Sequence, residues 1–205
     1  MNKIKICEIF PSIQGEGKYA GKPVIFIRTS GCTRKCDFCD TSYHNNGTEY
    51  TIQELINEIK KYQQTIIVWT GGEPLLQFFA IKEVITNLPL YYQHYIETNG
   101  DLIPLGNDFW ESKISYYFHY ICVSPKDLKT TENIYNLDID EIKIVTDLEL
   151  NKDMIPYATM LMPLTTDDEE LNNKIEQDVW NYCVKNEIRF CLRQHYKVWG
   201  KKRGI

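Results

Sequence analysis

The sequence predicts an α/β protein whose parallel sheet curls into an incomplete barrel. Short apolar runs of the buried-strand kind alternate with helix-length amphipathic segments. The 205 residues fall short of the roughly 250 that a closed eightfold barrel takes. Glycines and polar residues gather just after the strands, where parallel sheets bind their ligands. The length suits a single domain, residues 1–205, with one well-buried core.

Strands are predicted over residues 4–10, 24–29, 65–69, 92–97, 119–124, 141–146, 158–163 and 188–192. A helix over 52–62 opens on a capping box, Thr51 with Glu54, and two more cover 75–88 and 169–186. Alternation of this kind implies βαβ crossovers and a parallel sheet covered on both faces. No internal repeat, low-complexity stretch or linker interrupts it.

Composition narrows the function. A hydrophobic content of 43% with 25% charged residues is that of an ordinary globular chain, and no apolar run approaches the roughly 20 residues of a membrane span. The net charge of −5 argues against a nucleic-acid binder. The one dense basic cluster, Lys197, Lys201, Lys202 and Arg203, reads as a solvated tail. Seven cysteines are an odd number, and the opening Met-Asn-Lys-Ile-Lys carries no apolar signal segment. Reduced thiols and a cytoplasmic location are therefore expected.

Three of those cysteines, Cys32, Cys36 and Cys39, share one short loop with no fourth nearby. A structural zinc site wants four protein ligands, whereas three thiolates on an iron–sulfur cluster leave one iron open. His44, five residues on, leaves a Cys3His zinc site arithmetically open. Further chemistry-bearing residues follow other expected strands: Gly71-Gly72-Glu73-Pro74, Glu97-Thr98-Asn99-Gly100, Ser124-Pro125-Lys126 and Met162-Pro163. A Gly-Gly turn alone is only a turn signal, but it lets backbone approach a ligand, and the carboxylate beside it can accept from an ammonium group.

The spacing C-x3-C-x2-C with Phe38 before the last cysteine, followed by Gly71-Gly72-Glu73-Pro74, resembles the radical S-adenosylmethionine (SAM) enzymes. The runs Glu8-Ile-Phe-Pro-Ser-Ile-Gln-Gly-Glu-Gly17, Val24-Ile-Phe-Ile-Arg-Thr-Ser-Gly-Cys32, Cys39-Asp40-Thr41 and Trp199-Gly-Lys-Lys-Arg-Gly-Ile205 are similar to the 7-carboxy-7-deazaguanine synthases of that group. The likeness is specific from residue 8 to about 126, thins from 127 to 192, and resumes at the C-terminus.

This resemblance implies a partial β/α barrel of the radical SAM type. It further implies conversion of 6-carboxy-5,6,7,8-tetrahydropterin to 7-carboxy-7-deazaguanine with loss of ammonia, using SAM, a [4Fe-4S] cluster and Mg2+. By matching motif, Cys32, Cys36 and Cys39 would hold the cluster and Thr41 the Mg2+. Phe38, Cys39, Asp40, Gly72, Glu73, Gly100, Ser124, Pro125, Lys126 and Met162 would contact SAM. Ile13, Gln14, Gly15, Arg28 and Thr98 would contact the substrate, with Arg28 gripping its carboxylate and Glu16 free to bond loop backbone. The ordinary alternatives are a strand-end salt bridge for Arg28 and a turn cap for Thr98. No acid–base residue is assigned. The resemblance also implies a flavodoxin- or ferredoxin-like electron donor and a homodimer. A glycyl-radical activase would share the cysteines without needing Gln14, Arg28 and Thr98 together, and a zinc-binding interaction module would explain the cysteines alone.

Overall fold

The computed structural model describes residues 2–36, 45–103, 114–135 and 138–205. β1 (Lys3–Ile13) and β2 (Pro23–Thr29) are joined by a tight connection, closed by Gln14 N–H to the Lys22 carbonyl at 2.8 Å and Gly21 N–H to the Gln14 carbonyl at 2.8 Å. So short a link cannot make a crossover, and the two strands run antiparallel, Ile9 opposite Ile27. β3 (Thr48–Thr51) extends that edge, antiparallel to β1. From β2 onward the sheet is parallel through β4 (Ile66–Gly71), β5 (Gln93–Thr98), β6 (Tyr120–Val123), β7 (Glu141–Thr146), β8 (Met160–Pro163) and β9 (Arg189–Phe190).

Among the described residues the nine strands lie in the order β3-β1-β2-β4-β5-β6-β7-β8-β9, an open α/β sheet rather than a closed barrel. The expected incomplete barrel is thus found, with one correction: the sheet is mixed, because the first two strands form a hairpin.

α1 (Ile52–Ile59) starts where the sequence places it. Thr51 accepts from Glu54 N–H at 3.3 Å while the Glu54 carboxylate accepts from Thr51 N–H at 2.8 Å. It ends earlier than expected, since Lys61 and Tyr62 tighten into bonds to Glu58 and Ile59. The expected 75–88 helix divides into a 3-10 turn, Pro74–Gln77, and α2 (Phe78–Asn87), because Glu73 caps the first turn by accepting from Leu75 N–H at 2.9 Å. α3 (Leu128–Ile134), capped by Asp127, and the short α5 (Gln194–Trp199) were not expected. α4 (Glu169–Asn186) spans the expected residues, with Asp168 as its N-cap.

Period-two alternation sorts every strand into two faces. Ile25, Ile27, Ile67, Trp69, Ile96, Ile121, Ile144 and Leu161 belong to the main core with Leu55, Ile59, Ile81, Val84, Ile175 and Val179 of the helices. Each side chain so buried contributes about 1.5–3 kcal/mol. The residues between them on the strands face the other way: Val24, Val68, Tyr95, Tyr120 and Cys122 form a smaller cluster. Arg28, Glu97, Lys143 and Met162 lie on that same strand face and line a cavity.

Candidate active site

That cavity has a volume of about 640 Å3 and sits at the carboxyl ends of the parallel strands. Of the residues expected to bind ligands, Ile13, Gln14, Arg28, Cys32, Cys36, Gly72, Thr98, Ser124, Lys126 and Met162 line it. Gly15, Glu73, Gly100 and Pro125 lie outside its lining. Phe38, Cys39, Asp40, Thr41 and His44 fall outside the described residues.

The cysteine loop follows β2 and is pressed against the glycines after β4. Glu73 N–H donates to the Gly31 carbonyl at 2.8 Å. A Cβ placed on Gly72 would lie 2.0 Å from the Gly31 carbonyl oxygen and 2.9 Å from the Cys32 Cβ, so only glycine permits this approach. Gly71, at φ 136°, is likewise wedged against the Thr29 backbone.

Glu73 is fully buried. It accepts from Thr98 Oγ1 at 2.6 Å, Asn99 N–H at 2.8 Å and Leu75 N–H at 2.9 Å. Burial raises its pKa despite these donors. A carboxylate offers about four lone-pair sites, so roughly one remains for a further donor. Thr98 accepts in turn from Gly100 N–H at 3.1 Å, which is the turn-capping geometry set against its substrate role above.

Three polar groups of the lining are each held by partners of their own. Arg28 donates from Nε to Glu8 at 3.1 Å, and Glu8 also accepts from Arg203 at 2.8 Å. Gln14, almost fully buried, donates to Glu97 at 2.8 Å and accepts from Glu16 N–H at 3.2 Å. Its amide therefore retains one N–H and one lone pair. Glu16 does not bond loop backbone through its carboxylate; it pairs with the buried Lys143 and lies 3.8 Å from Arg193 Nε. Burial would push the Glu16 carboxyl up, but the two cations outweigh it and hold the pKa down to about 2. Cys122, on the same face, is pushed up to about 12 by burial and is an inert thiol.

The basic tail is a wall of the cavity rather than merely solvated. Residues 200–205 line it, with Lys201 paired to Asp167, Lys197 to Glu176 and Arg203 to Glu8. Lys143, Glu97, Arg193, His195 and Tyr196 are lining residues that the motif reading did not assign. A lysine alternating with Ile142 and Ile144 on a fully buried strand was the available signal for the first. Among the described residues the lining carries Arg28, Arg34, Lys126, Lys143, Arg193, Lys201, Lys202 and Arg203 against Glu8, Glu16, Glu97 and Asp167. A chain of net charge −5 thus presents a cationic cavity.

A cysteine loop abutting a Gly-Gly-Glu-Pro turn at the strand ends of an open α/β barrel defines a radical SAM protein, and residues 26–173 match the radical SAM superfamily. Within it, the chain belongs to the 7-carboxy-7-deazaguanine synthase family. It is 37% identical over 161 residues to the 7-carboxy-7-deazaguanine synthase of Thermoplasma acidophilum, covering 73% of this chain and 75% of that one. It is 37% identical over 129 residues to that of Hyperthermus butylicus, of which the match spans only 53%. It is 27% identical over 219 residues to that of Pyrobaculum aerophilum, covering 98% and 97% of the two chains. The crystal structure of QueE from Escherichia coli shares the fold, with a TM-score of 0.66 and 22% identity over 94% of this chain and 95% of that one. No helix among the described residues is long and apolar enough to cross a membrane.

Membership of the superfamily implies a [4Fe-4S] cluster and SAM, and the described residues fit both. Cys32, Cys36 and Gly72 line the cavity, and the glycine turn, with the buried Glu73 carboxylate behind it, closes against their loop.

Proposed function

We propose that the protein converts 6-carboxy-5,6,7,8-tetrahydropterin to 7-carboxy-7-deazaguanine with loss of ammonia, as a single domain spanning residues 1–205. The observation that carries this is the cationic cavity in which Gln14, Arg28 and Thr98 meet the cysteine loop and the glycine turn. SAM and the [4Fe-4S] cluster together supply a hydrogen-abstracting radical.

The protein's own residues bind, orient and exclude. Cys32, Cys36 and Cys39 would hold the cluster through their thiolates. Glu73 would accept from the ammonium group of SAM. Phe38, Cys39, Asp40, Gly72, Gly100, Ser124, Pro125, Lys126 and Met162 complete the SAM pocket. Arg28 takes the substrate carboxylate, its guanidinium plane fixed by Glu8 on Nε. Gln14 offers its spare N–H and lone pair to the amide-like edge of the pterin beside Ile13 and Gly15, and Thr98 adds a hydroxyl. Thr41 would offer a hydroxyl oxygen to Mg2+, a metal that prefers oxygen donors. A cavity walled by the tail keeps water from the reacting carbon.

The resemblance carries the remaining assignments: a flavodoxin- or ferredoxin-like electron donor, a homodimer and a cytoplasmic site of action. The reading is tested by anaerobic assay of iron-reconstituted protein with dithionite, SAM, Mg2+ and 6-carboxy-5,6,7,8-tetrahydropterin, with mass spectrometry for 7-carboxy-7-deazaguanine. Product supports the reading. 5′-Deoxyadenosine without that product removes the substrate assignment, and neither compound from brown, SAM-binding protein leaves a partner-dependent activase.

A further inference from the structure

Arg34 sits between two of the cluster cysteines, yet its side chain reaches away from them. Its Nε donates to Asp101 Oδ2 at 2.7 Å and its Nη2 to Asp101 Oδ1 at 2.5 Å, a bidentate fork. The same Nη2 pairs with Asp127 and lies 3.2 Å from Thr130 Oγ1. Its neighbour Thr33 donates to Asp101 at 2.7 Å and accepts from Asn99 Nδ2 at 2.9 Å. Asn99 and Asp101 belong to the loop after β5, whereas Asp127 is the N-cap of α3 in the loop after β6. One guanidinium therefore fastens the cysteine loop to the two loops that carry Gly100 and Ser124-Pro125-Lys126.

The Asp101 end of this link is shielded, its side chain 15% exposed and that of Arg34 27%, while Asp127 is more open at 40%. Burial would push the Asp101 carboxyl up, but Arg34 and Thr33 outweigh it and hold it below its ordinary value. The cluster cysteines need no such link to reach their irons. A loop that only had to hold a cluster would leave Arg34 in solvent, whereas a loop that must meet SAM at one fixed distance gains from being tied to the SAM loops.

We propose that Arg34 is a positioning residue that ties the cysteine loop to the loops carrying Gly100 and Ser124-Pro125-Lys126 through Asp101 and Asp127, and so fixes the placement of the residues that would hold the cluster relative to those that would hold SAM. This rests on the radical SAM reading of the site. Without the fork the cysteines would still hold a cluster, while the SAM loops would lose their fixed placement against it.

The test uses anaerobically reconstituted full-length protein: wild type, Arg34→Gln, Arg34→Lys, Asp101→Asn and the Arg34→Gln, Asp101→Asn double variant. Iron and sulfide per chain, the electron paramagnetic resonance spectrum of the dithionite-reduced cluster with and without SAM, and the SAM concentration that half-saturates the spectral change are measured. Arg34→Gln is expected to keep its iron while needing about tenfold more SAM. Arg34→Lys keeps the charge but not the fork and is expected to remain impaired. Asp101→Asn, which leaves the pair with Asp127, is expected to show the same defect in part, and the double variant to be no worse than Arg34→Gln, because the fork is already lost there. A wild-type half-saturation in Arg34→Gln overturns the proposal, as does iron loss from Arg34→Gln and Asp101→Asn large enough to account for the SAM effect. If wild type itself shows no SAM-induced change, the radical SAM reading fails instead, and the proposal with it.

Discussion

Replacing Lys143 by Met should unfold the protein more readily than any cavity calculation suggests. The Lys143 side chain is 6% exposed and its pair partner Glu16 13%. Removing one member of a buried pair leaves the other charge uncompensated, which costs about 3–5 kcal/mol. Arg193, 3.8 Å from Glu16, offers partial compensation, so the lower end, about 3 kcal/mol, is expected. With an m-value of about 3 kcal/mol/M in urea, the midpoint falls by about 1 M. Glu16→Gln strands Lys143 in the same way. The double variant, with both charges gone, should return to within about 1–2 kcal/mol of wild type.

The pH dependence has a definite sign. The Glu16 carboxyl is held near 2 in the folded chain, against an ordinary 4.5. As pH falls, the unfolded chain takes up that proton first, so the pair's contribution is whole above about 4.5 and is lost as pH falls toward 2. The stability gap between wild type and Glu16→Gln should narrow over that window. Urea titrations of the three variants at pH 7, repeated for wild type and Glu16→Gln down to pH 3, decide the matter. Additive losses in the double variant, or a gap that does not change with pH, would refute the reasoning.

Four further outcomes are expected. Cys36→Ala should lose the cluster and all SAM cleavage, read from iron content and 5′-deoxyadenosine; a brown, active variant would sink the cluster assignment. Arg28→Ala should keep its iron but raise KM for the pterin by about tenfold or more, as a charged hydrogen bond is lost, and an unchanged KM would remove Arg28 from the substrate site. Gly72→Ala drives a methyl group into the Gly31 carbonyl, and reconstituted iron should fall well below wild type while the fold, followed by circular dichroism, persists. Thr51→Ala breaks the α1 capping box and should cost about 1 kcal/mol in denaturant titration without changing SAM cleavage.

What the sequence made legible was whatever local rules govern. The capping box at Thr51 and Glu54, the run of α4 and the buried apolar strands are decided within a few residues, and they appear where expected. Turns after strands identified the glycine wedge for the same reason. Three things escaped. The β1–β2 hairpin reverses a strand that reads like its parallel neighbours, because direction is set by the connection and not by the strand's composition. α3, written Leu-Lys-Thr-Thr-Glu-Asn-Ile, is only two turns long and more than half weak helix formers, and is held by the Asp127 cap and by burial of Thr131 and Ile134. The Glu16–Lys143 and Glu8–Arg203 pairs join residues far apart in sequence, and motif matching within a loop does not reveal such partners.

The tail that walls the cavity is attached by its last residues to almost the first strand: Arg203 meets Glu8 across 195 positions. In an unfolded chain, closing a loop of that length would cost about 5 kcal/mol, while an exposed ion pair returns at most about 1 kcal/mol. The tail can therefore dock only after the sheet has already brought the two ends together. The same imbalance governs its release. Its fastenings are the solvent-exposed pair of Lys201 with Asp167 and the half-exposed pair of Arg203 with Glu8, whereas the strands beneath are sealed in the core. Salt should therefore loosen the tail's ion pairs before it weakens the buried Glu16–Lys143 pair that lines the same cavity.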